Sequence, residues 1–191
     1  MIQSPPLSHR IETARLILRP SQASDAARAF EIQSDWAVTR MLRMAAFPPD
    51  QGEIEGWFSD HAREWQAGKA FRFAVERKDG EAGHMIGLAD IDGIGRDEGE
   101  LGYWFGRESW GQGFASEAAG ALVAFAFRSL GLAALRSGRA RDNEASGKVL
   151  AKLGFQTIGE TRLFSRPRGE EIMQCRYRLE HRESDSRIPT P

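Results

Sequence analysis

Between Gly99 and Phe127 the chain reads GELGYWFGRESWGQGFASEAAGALVAFAF. No other stretch limits the possible folds so sharply. Leu101, Tyr103 and Phe105 alternate with Glu100, Gly102 and Trp104 at the two-residue period of a strand, and aromatic residues suit a half-buried pleated surface. The strand is expected to end near Gly106. Trp110-Gly111-Gln112-Gly113-Phe114-Ala115-Ser116 then offers backbone N–H groups with no bulky side chain at Gly111 or Gly113. From Ser116, Ala119, Leu122, Val123 and Ala126 recur at three- and four-residue spacing, which predicts a helix with one buried face. A helix start carries unpaired N–H donors and a partial positive charge, so the turn can hold an anion such as a pyrophosphate.

Other readings of the turn compete. It can simply need glycine for its backbone angles. A dinucleotide fingerprint would want an acidic residue about twenty positions on, and Phe127 to Leu135 contains none. A P-loop would want Gly-Lys-Ser/Thr, which Gly113-Phe114-Ala115 does not supply. A phosphate-bearing ligand outside those two classes remains.

The 191 residues suffice for one domain with a full core, and 41% hydrophobic residues is ordinary for a globular protein. A formal net charge of -1, without a run of Lys and Arg on one helix, argues against nucleic acid as a partner. Cys175 is alone, so it forms neither an internal disulfide nor a thiolate cage, and it reads as a buried strand residue. The four histidines show no ligand spacing, so no metal is expected. There is no cleavable signal and no apolar run near 18 residues, which makes the cytoplasm the expected location and a membrane no partner.

In chain order, Met1 to Glu12 is an expected extended lead-in. Arg15 to Arg19 alternates as a first strand, with Leu16 and Leu18 on one face, and Pro20 stops it. Ser21 or Ser24 is expected to cap a helix over Asp25 to Gln33, and a short helix or turn follows at Trp36 to Leu42. Asp50-Gln51-Gly52-Glu53 reads as a capping box opening a helix to about Gln66. Trp36, Met41, Met44, Phe47, Trp57 and Trp65 fit either helix packing on the sheet or the lining of an acceptor pocket. Strands are expected over Phe71 to Arg77 and His84 to Asp92, turned at Asp79-Gly80, with Gly93 to Gly99 a loop. After the long helix come a strand over Leu132 to Ala140, a helix over Asn143 to Leu153, and a closing hairpin of Thr157 to Arg166 with Glu171 to Glu180. The polar stretch from His181 to Pro191 is an expected disordered tail.

Four blocks in order carry a resemblance: Glu100-Leu101-Gly102-Tyr103-Trp104-Phe105, Trp110-Gly111-Gln112-Gly113-Phe114-Ala115-Ser116-Glu117-Ala118, Asn143-Glu144-Ala145-Ser146 and Leu150-Ala151-Lys152-Leu153-Gly154-Phe155. Together with Thr13 to Pro20 upstream, they resemble the signature of the GNAT N-acetyltransferase superfamily. The branch of the ribosomal-protein N-terminal (Rim-type) acetyltransferases is the most similar. The resemblance implies a single α/β (α+β) domain over residues 13-180, with a mixed, mostly antiparallel twisted sheet of six to seven strands flanked by about four helices. It also implies that acetyl-CoA is the co-substrate. Its pyrophosphate would lie on the amides of Gly111, Gln112, Gly113, Phe114, Ala115 and Ser116. Trp110 stands where the broader superfamily has Gln or Arg. The strands at Glu100 to Phe105 and Leu135 to Ala140 would splay apart and admit the pantetheine arm, pairing it with backbone groups of Trp104 and Phe105. A homodimer is a family tendency.

Amide formation from a thioester needs a neutral amine, a donor for the developing oxyanion and a proton for the leaving thiolate. Many superfamily members place a tyrosine acid where this chain has Leu150. The resemblance offers Ser146, one turn earlier, for the leaving thiolate, whereas the bland alternative is a polar first-turn residue. Asn143 can cap its helix and also bond the pantetheine arm. Glu100 stands where related enzymes carry a catalytic carboxylate, with Asp90 and Asp92 as rivals. An α-amine with pKa near ~7.7–8.0 needs less help than a lysine near ~10.4, so a site without an unmistakable base leans to α-amines. The expected activity is acetylation of a peptide N-terminus or a small-molecule amine. A non-catalytic acyl-CoA-binding or sensing domain is the alternative, and a purely structural partner-binding domain is a third.

Overall fold

The structure is a computed structural model that describes residues 4–181; the expected tail beyond His181 lies outside the described residues, as do the first three. Ile11–Glu12 (β1) and Leu16–Pro20 (β2) pair antiparallel and lead into Ala26–Gln33 (α1), Trp36–Thr39 (α2) and Gln51–Gln66 (α3). The alternation read at Leu16 and Leu18 holds, since both side chains are fully buried. A single turn of 3-10 helix, Ala23–Asp25, precedes α1. Its cap is not Ser21 or Ser24. The Asp25 carboxylate accepts from the Gln22 N–H at 2.8 Å, while the Ser21 hydroxyl donates to the Arg72 carbonyl at 3.1 Å. At α3 the Asp50 carboxylate accepts from the Glu53 N–H at 2.8 Å, one half of the expected capping box, while the Glu53 carboxylate goes to Arg166 instead of back to Asp50.

Phe71–Arg77 (β3) returns as Met85–Gly95 (β4), and Glu98–Phe105 (β5) follows, so most of the expected loop at Gly93 to Gly99 is strand. Phe114–Arg128 (α4) starts two residues before Ser116, because Gly113 at φ +81° serves as its N-cap. Ala134–Ala140 (β6), Glu144–Lys152 (α5), Gln156–Ser165 (β7) and Glu170–Glu180 (β8) complete the order. Among the described residues the sheet has eight strands, in the order β1-β2-β3-β4-β5-β6-β8-β7. That exceeds the expected six to seven because Ile11 pairs with Leu18 and Glu12 with Ile17. Among the described residues five α-helices stand where about four were expected, since Trp36–Thr39 closes its own turns. None of the described helices is long and apolar enough to cross a membrane.

Every neighbouring pair is antiparallel except β5 and β6, which α4 links as a crossover. Helix α4 covers one face of the sheet, where Leu101 and Phe105 join Leu122, Ala126 and Leu135 in the larger core. Helices α1 and α3 cover part of the other, where Ala29, Phe58, Ala74 and Leu88 form a smaller one. Burying each such large apolar side chain is worth roughly 1.5–3 kcal/mol.

A buried polar cluster ties α3 to that second face. His61 Nδ1 lies 2.7 Å from Ser21 Oγ. Ser21 gives its one proton to the Arg72 carbonyl, so satisfying both contacts puts the ring proton on Nδ1. His61 Nε2 is then a buried acceptor with no hydrogen-bond partner. Burial, with Arg72 adding to it and Asp25 opposing, pushes the His61 pKa down to about 3. The unfolded chain takes up this proton near ~6.5, so the contribution of a neutral His61 to stability is lost as pH falls below that value. In His61→Leu the unfolding free energy relative to wild type should improve by up to about 1.4 kcal/mol per pH unit between roughly pH 6.5 and 5. Urea melts across that window measure it, and a difference that does not move with pH contradicts the assignment.

Candidate active site

The site forms where β5 and β6 part. Glu98, Gly99 and Glu100 pair with Ala134, Leu135 and Arg136, and there the ladder stops. The next link is a side chain: Ser137 Oγ donates to the Leu101 carbonyl at 2.9 Å. Beyond it β6 stays with β8 to Ala140, and β5 stays with β4. The Gly106 N–H donates to the Ile86 carbonyl on the β4 side at 2.9 Å. Alternation therefore turns the backbone groups of Gly102 and Trp104 towards β4, and those of Tyr103 and Phe105 towards the gap. A Cβ built on Gly87 would stand 2.4 Å from the Trp104 carbonyl oxygen, which agrees. Of the expected pair, Phe105 faces the gap; the place given to Trp104 belongs to Tyr103.

The glycine turn opens beside this gap. Gly111 and Gly113 have φ of +73° and +81°, the left-handed region that costs other residues roughly 1–2 kcal/mol. Trp110 braces the turn, its indole N–H donating to the Phe105 carbonyl at 2.9 Å, and the Gln112 side-chain amide donates to the Glu108 carbonyl at 2.8 Å. From the far side Arg15 donates to the Gln112 carbonyl at 2.9 Å and lies 4.7 Å over the Phe114 ring. The same guanidinium pairs with Glu117, which also accepts from Thr13 at 2.6 Å. Burial pushes the Glu117 carboxyl up, but these bonds outweigh it and hold it below its ordinary range. The first amides of α4, through Ala115 and Ser116, have no partner inside their own helix and open on one side of this braced loop.

At the other side of the gap the Asn143 side chain accepts from the Ser146 N–H at 3.2 Å and caps α5, as its sequence position predicts. Ser146 Oγ lies 2.9 Å from the Tyr103 hydroxyl. Burial pushes the Tyr103 phenol up to about 12, with Ser146 and Arg139 pulling weakly the other way, so the hydroxyl keeps its proton at neutral pH. Leu150 is fully buried and offers no acid. Sequence reasoning did not single out Tyr103. Its facing Ser146 across 43 positions is a property of the fold, and the only local signal is its phase on the strand.

On the α3 side the gap opens into a cleft of about 980 Å³. Asp90, Asp92 and Glu100 line it, with Trp57, Met41 and Met44. Of the aromatic and methionine set with two readings, Trp65 belongs to the core and Trp36 packs tilted against Phe47, with ring centroids 4.8 Å apart. Asp90 lies over Gly102 so closely that a Cβ there would come 2.3 Å from its Oδ1. Arg72 bonds Glu64 and stands 3.5 Å from both Asp90 and Asp92. One buried guanidinium thus answers three carboxylates, with Glu100 close by. Burial first, and then the Asp92 charge, push the Asp90 carboxyl well above its ordinary range despite Arg72. Asp92 is raised too, by burial and by Glu100 and Glu64. Glu100 is exposed at the mouth of the cleft.

The segment before α3 roofs the cleft and is clamped to the β7–β8 turn. Arg166 pairs with Glu53 through two bonds of 2.7 and 2.8 Å. Arg168 grips Asp142 through two bonds of 3.0 Å and donates to the Arg40 carbonyl at 2.8 Å. Among the described residues no group of three or more His, Cys, Asp or Glu could hold a metal ion.

Residues 15–156 match the model of the acetyltransferase (GNAT) domain. The chain is 32% identical over 156 residues to the uncharacterized N-acetyltransferase YoaA of Bacillus subtilis (strain 168), covering 81% of this chain and 86% of that protein. It is 32% identical over 175 residues to the uncharacterized N-acetyltransferase p20 of Bacillus licheniformis, covering 90% and 96%. Among solved structures it superposes on RimL, a ribosomal L7/L12 alpha-N-protein acetyltransferase in complex with coenzyme A, with a TM-score of 0.79 at 19% identity, covering 90% of this chain and 98% of that one. RimJ of Mycobacterium smegmatis in complex with CoA-disulfide gives 0.77 at 21% identity, covering 91% and 85%. An unbroken match from the first full strand through α5, joined to a parted β5–β6 pair beside a glycine turn, makes this chain a member of the GNAT acetyltransferase family.

Proposed function

We propose that the protein transfers the acetyl group of acetyl-CoA to a primary amine by direct attack in a ternary complex, and that the acceptor is a peptide N-terminal α-amine. The observation that carries this reading is the gap between β5 and β6, bordered by the amides of Gly111 to Ser116 and by the Tyr103–Ser146 pair. RimL and RimJ, whose chains superpose on this one, are complexes with coenzyme A or its disulfide, and RimL is an alpha-N-protein acetyltransferase. Bound acetyl-CoA supplies an activated thioester.

Gly111, Gln112, Gly113, Phe114, Ala115 and Ser116 bind the pyrophosphate through backbone N–H groups, with Trp110 and Arg15 holding the turn rigid. Tyr103 and Phe105 extend backbone groups to the pantetheine arm as a neighbouring strand would, Trp104 turns its side chain to the opposite face, and Asn143 borders the arm at α5. The Tyr103 hydroxyl stands within reach of both the Ser146 carbonyl at 3.3 Å and Ser146 Oγ at 2.9 Å; with its proton assigned to Oγ, the Ser146 hydroxyl proton is left for the departing sulfur. As the N–C bond forms and the C–S bond breaks, the amine sheds a proton towards Glu100 and, through water, Asp90. Asp90 holds a proton far more readily than a free carboxylate does, which suits a base working near neutral pH.

A non-catalytic acyl-CoA sensor remains as a second reading, motivated by Leu150 in place of an acid. Calorimetry with acetyl-CoA, followed by thiol-release assays on peptides and small amines, separates the two. Binding with release supports the enzyme; binding without release on any acceptor supports the sensor; no binding removes the site. Ser146→Ala should lower kcat roughly 10- to 100-fold at unchanged acetyl-CoA affinity. An unaltered kcat would return Ser146 to a plain helix position.

The pH profile tests the carboxylates. The Asp92 charge raises Asp90, so in Asp92→Asn the proton leaves Asp90 more easily. The acidic limb of kcat/KM should move to lower pH in that variant, and a limb that stays in place or moves up argues against Asp90 as the proton acceptor.

A further inference from the structure

The cleft is electrically two-sided. Register places Asp92 opposite Glu100, Glu100 opposite Arg136, and Gly138 opposite Arg176, and opposed residues share a face. Across that face, carboxylates on β4 and β5 give way to guanidiniums on β6 and β8. Most arginines of this chain are paired or bonded within the fold, as Arg15, Arg19, Arg72, Arg166 and Arg168 are. Arg176 and Arg43 line the cleft, and among the described residues their guanidiniums have no ion-pair or hydrogen-bond partner. Arg136 shares a single carboxylate, Glu98, with Arg178, at 3.7 and 2.7 Å, and its Nε is buried without a hydrogen bond. The basic side is therefore short of anions.

We infer that the acceptor is an acidic peptide N-terminus, whose ammonium group lies on the Asp90, Asp92 and Glu100 side and whose following carboxylates meet Arg136, Arg176 and Arg43. This deepens the acetyltransferase reading and rests on it. Strand spacing sets the reach. Arg176 on β8 stands two strand spacings from Glu100 on β5 and two residues further along, about 12 Å, which an extended peptide spans in about four residues. Aspartate or glutamate at the second to fourth positions is thus selected. A free amino acid reaches no further than Arg136, opposite Glu100, and a polycation such as an aminoglycoside meets the unpaired guanidiniums.

Steady-state thiol release with the full chain tests this on four acceptors: the hexapeptides Ser-Glu-Glu-Glu-Ala-Ala, Ser-Ala-Ala-Ala-Ala-Ala and Ser-Lys-Lys-Lys-Ala-Ala, and free glutamate. The acidic peptide should exceed the lysine peptide in kcat/KM by at least about tenfold, with the advantage shrinking as salt is raised. Arg176→Glu should reverse that order while the KM for acetyl-CoA stays fixed. Arg176 is exposed on the strand, so the variant is expected to fold; Arg176→Gln, which should weaken the preference without reversing it, serves as the check. Turnover of all three peptides at equal efficiency, or glutamate as the best acceptor, overturns the inference and leaves the acetyltransferase reading standing. Absence of turnover on every amine overturns both.

Discussion

The parting of β5 from β6 is the constraint on which the rest of the structure depends. A parallel pair joined by a crossover helix has no hairpin to hold its register, and here three paired positions are all the ladder there is. Each strand keeps its other partner: β5 pairs with β4 from Gly87 to Asp92, and β6 pairs with β8 along its whole length. Two halves of one sheet thus diverge around the Ser137 bond to Leu101. Backbone groups left unpaired in a buried place cost about 1–3 kcal/mol each. Along the edge at Tyr103 and Phe105 only the Phe105 carbonyl has a protein partner among the described residues, the Trp110 indole, and the other backbone groups there are left for water or a ligand strand to satisfy. The glycine turn and the cap of α5 stand on its two sides, and the Tyr103–Ser146 contact spans them.

The electrostatics of the cleft follow from how few cations lie deep in it. Arg72 is the buried guanidinium that faces Glu64, Asp90 and Asp92 together, and it also lies 5.2 Å from the Trp57 ring. A single positive charge cannot offset the desolvation of buried Asp90 and partly exposed Asp92, so both are raised rather than lowered. Arg136 on β6, opposite Glu100 in the paired stretch, is shared with Glu98 rather than with the two aspartates.

Much of this was legible in the sequence because the informative signals are local. The alternation at Leu101 to Phe105, the glycines at 111 and 113, the Asn143 cap and the Asp50 cap each involve neighbours a few positions apart. What failed was governed by distant groups. Ser21 did not cap α1 because the Arg72 carbonyl and His61 claim its hydroxyl, and Asp25 takes the role while held by Arg19. The phase of backbone groups along β5 depends on which neighbour pairs at Gly106, so Tyr103 rather than Trp104 faces the gap. Sequence spacing gives Asp90, Asp92 and Glu100 equal standing. Only the burial of Asp90 beneath α3 and over Gly102 separates them.

The two perturbed groups bordering the site differ in what they ask of the fold. Tyr103 is raised to about 12, yet it is protonated at neutral pH whether folded or unfolded, so its shift carries no stability term there. Asp90 is the opposite case. Its folded-state pKa lies above that of the unfolded chain, so its contribution to stability is present at low pH and declines as pH rises through the folded value. Ionising Asp90, the event that the proposed role as base requires, is thus the event the fold resists. Arg72 and the hydrogen-bonded cluster at Ser21 and His61 brace that position from the α3 side, which allows a carboxylate to be buried there at all. The tension lies in the cleft beside the parted strands, and local rules are expected to give way at a functional site.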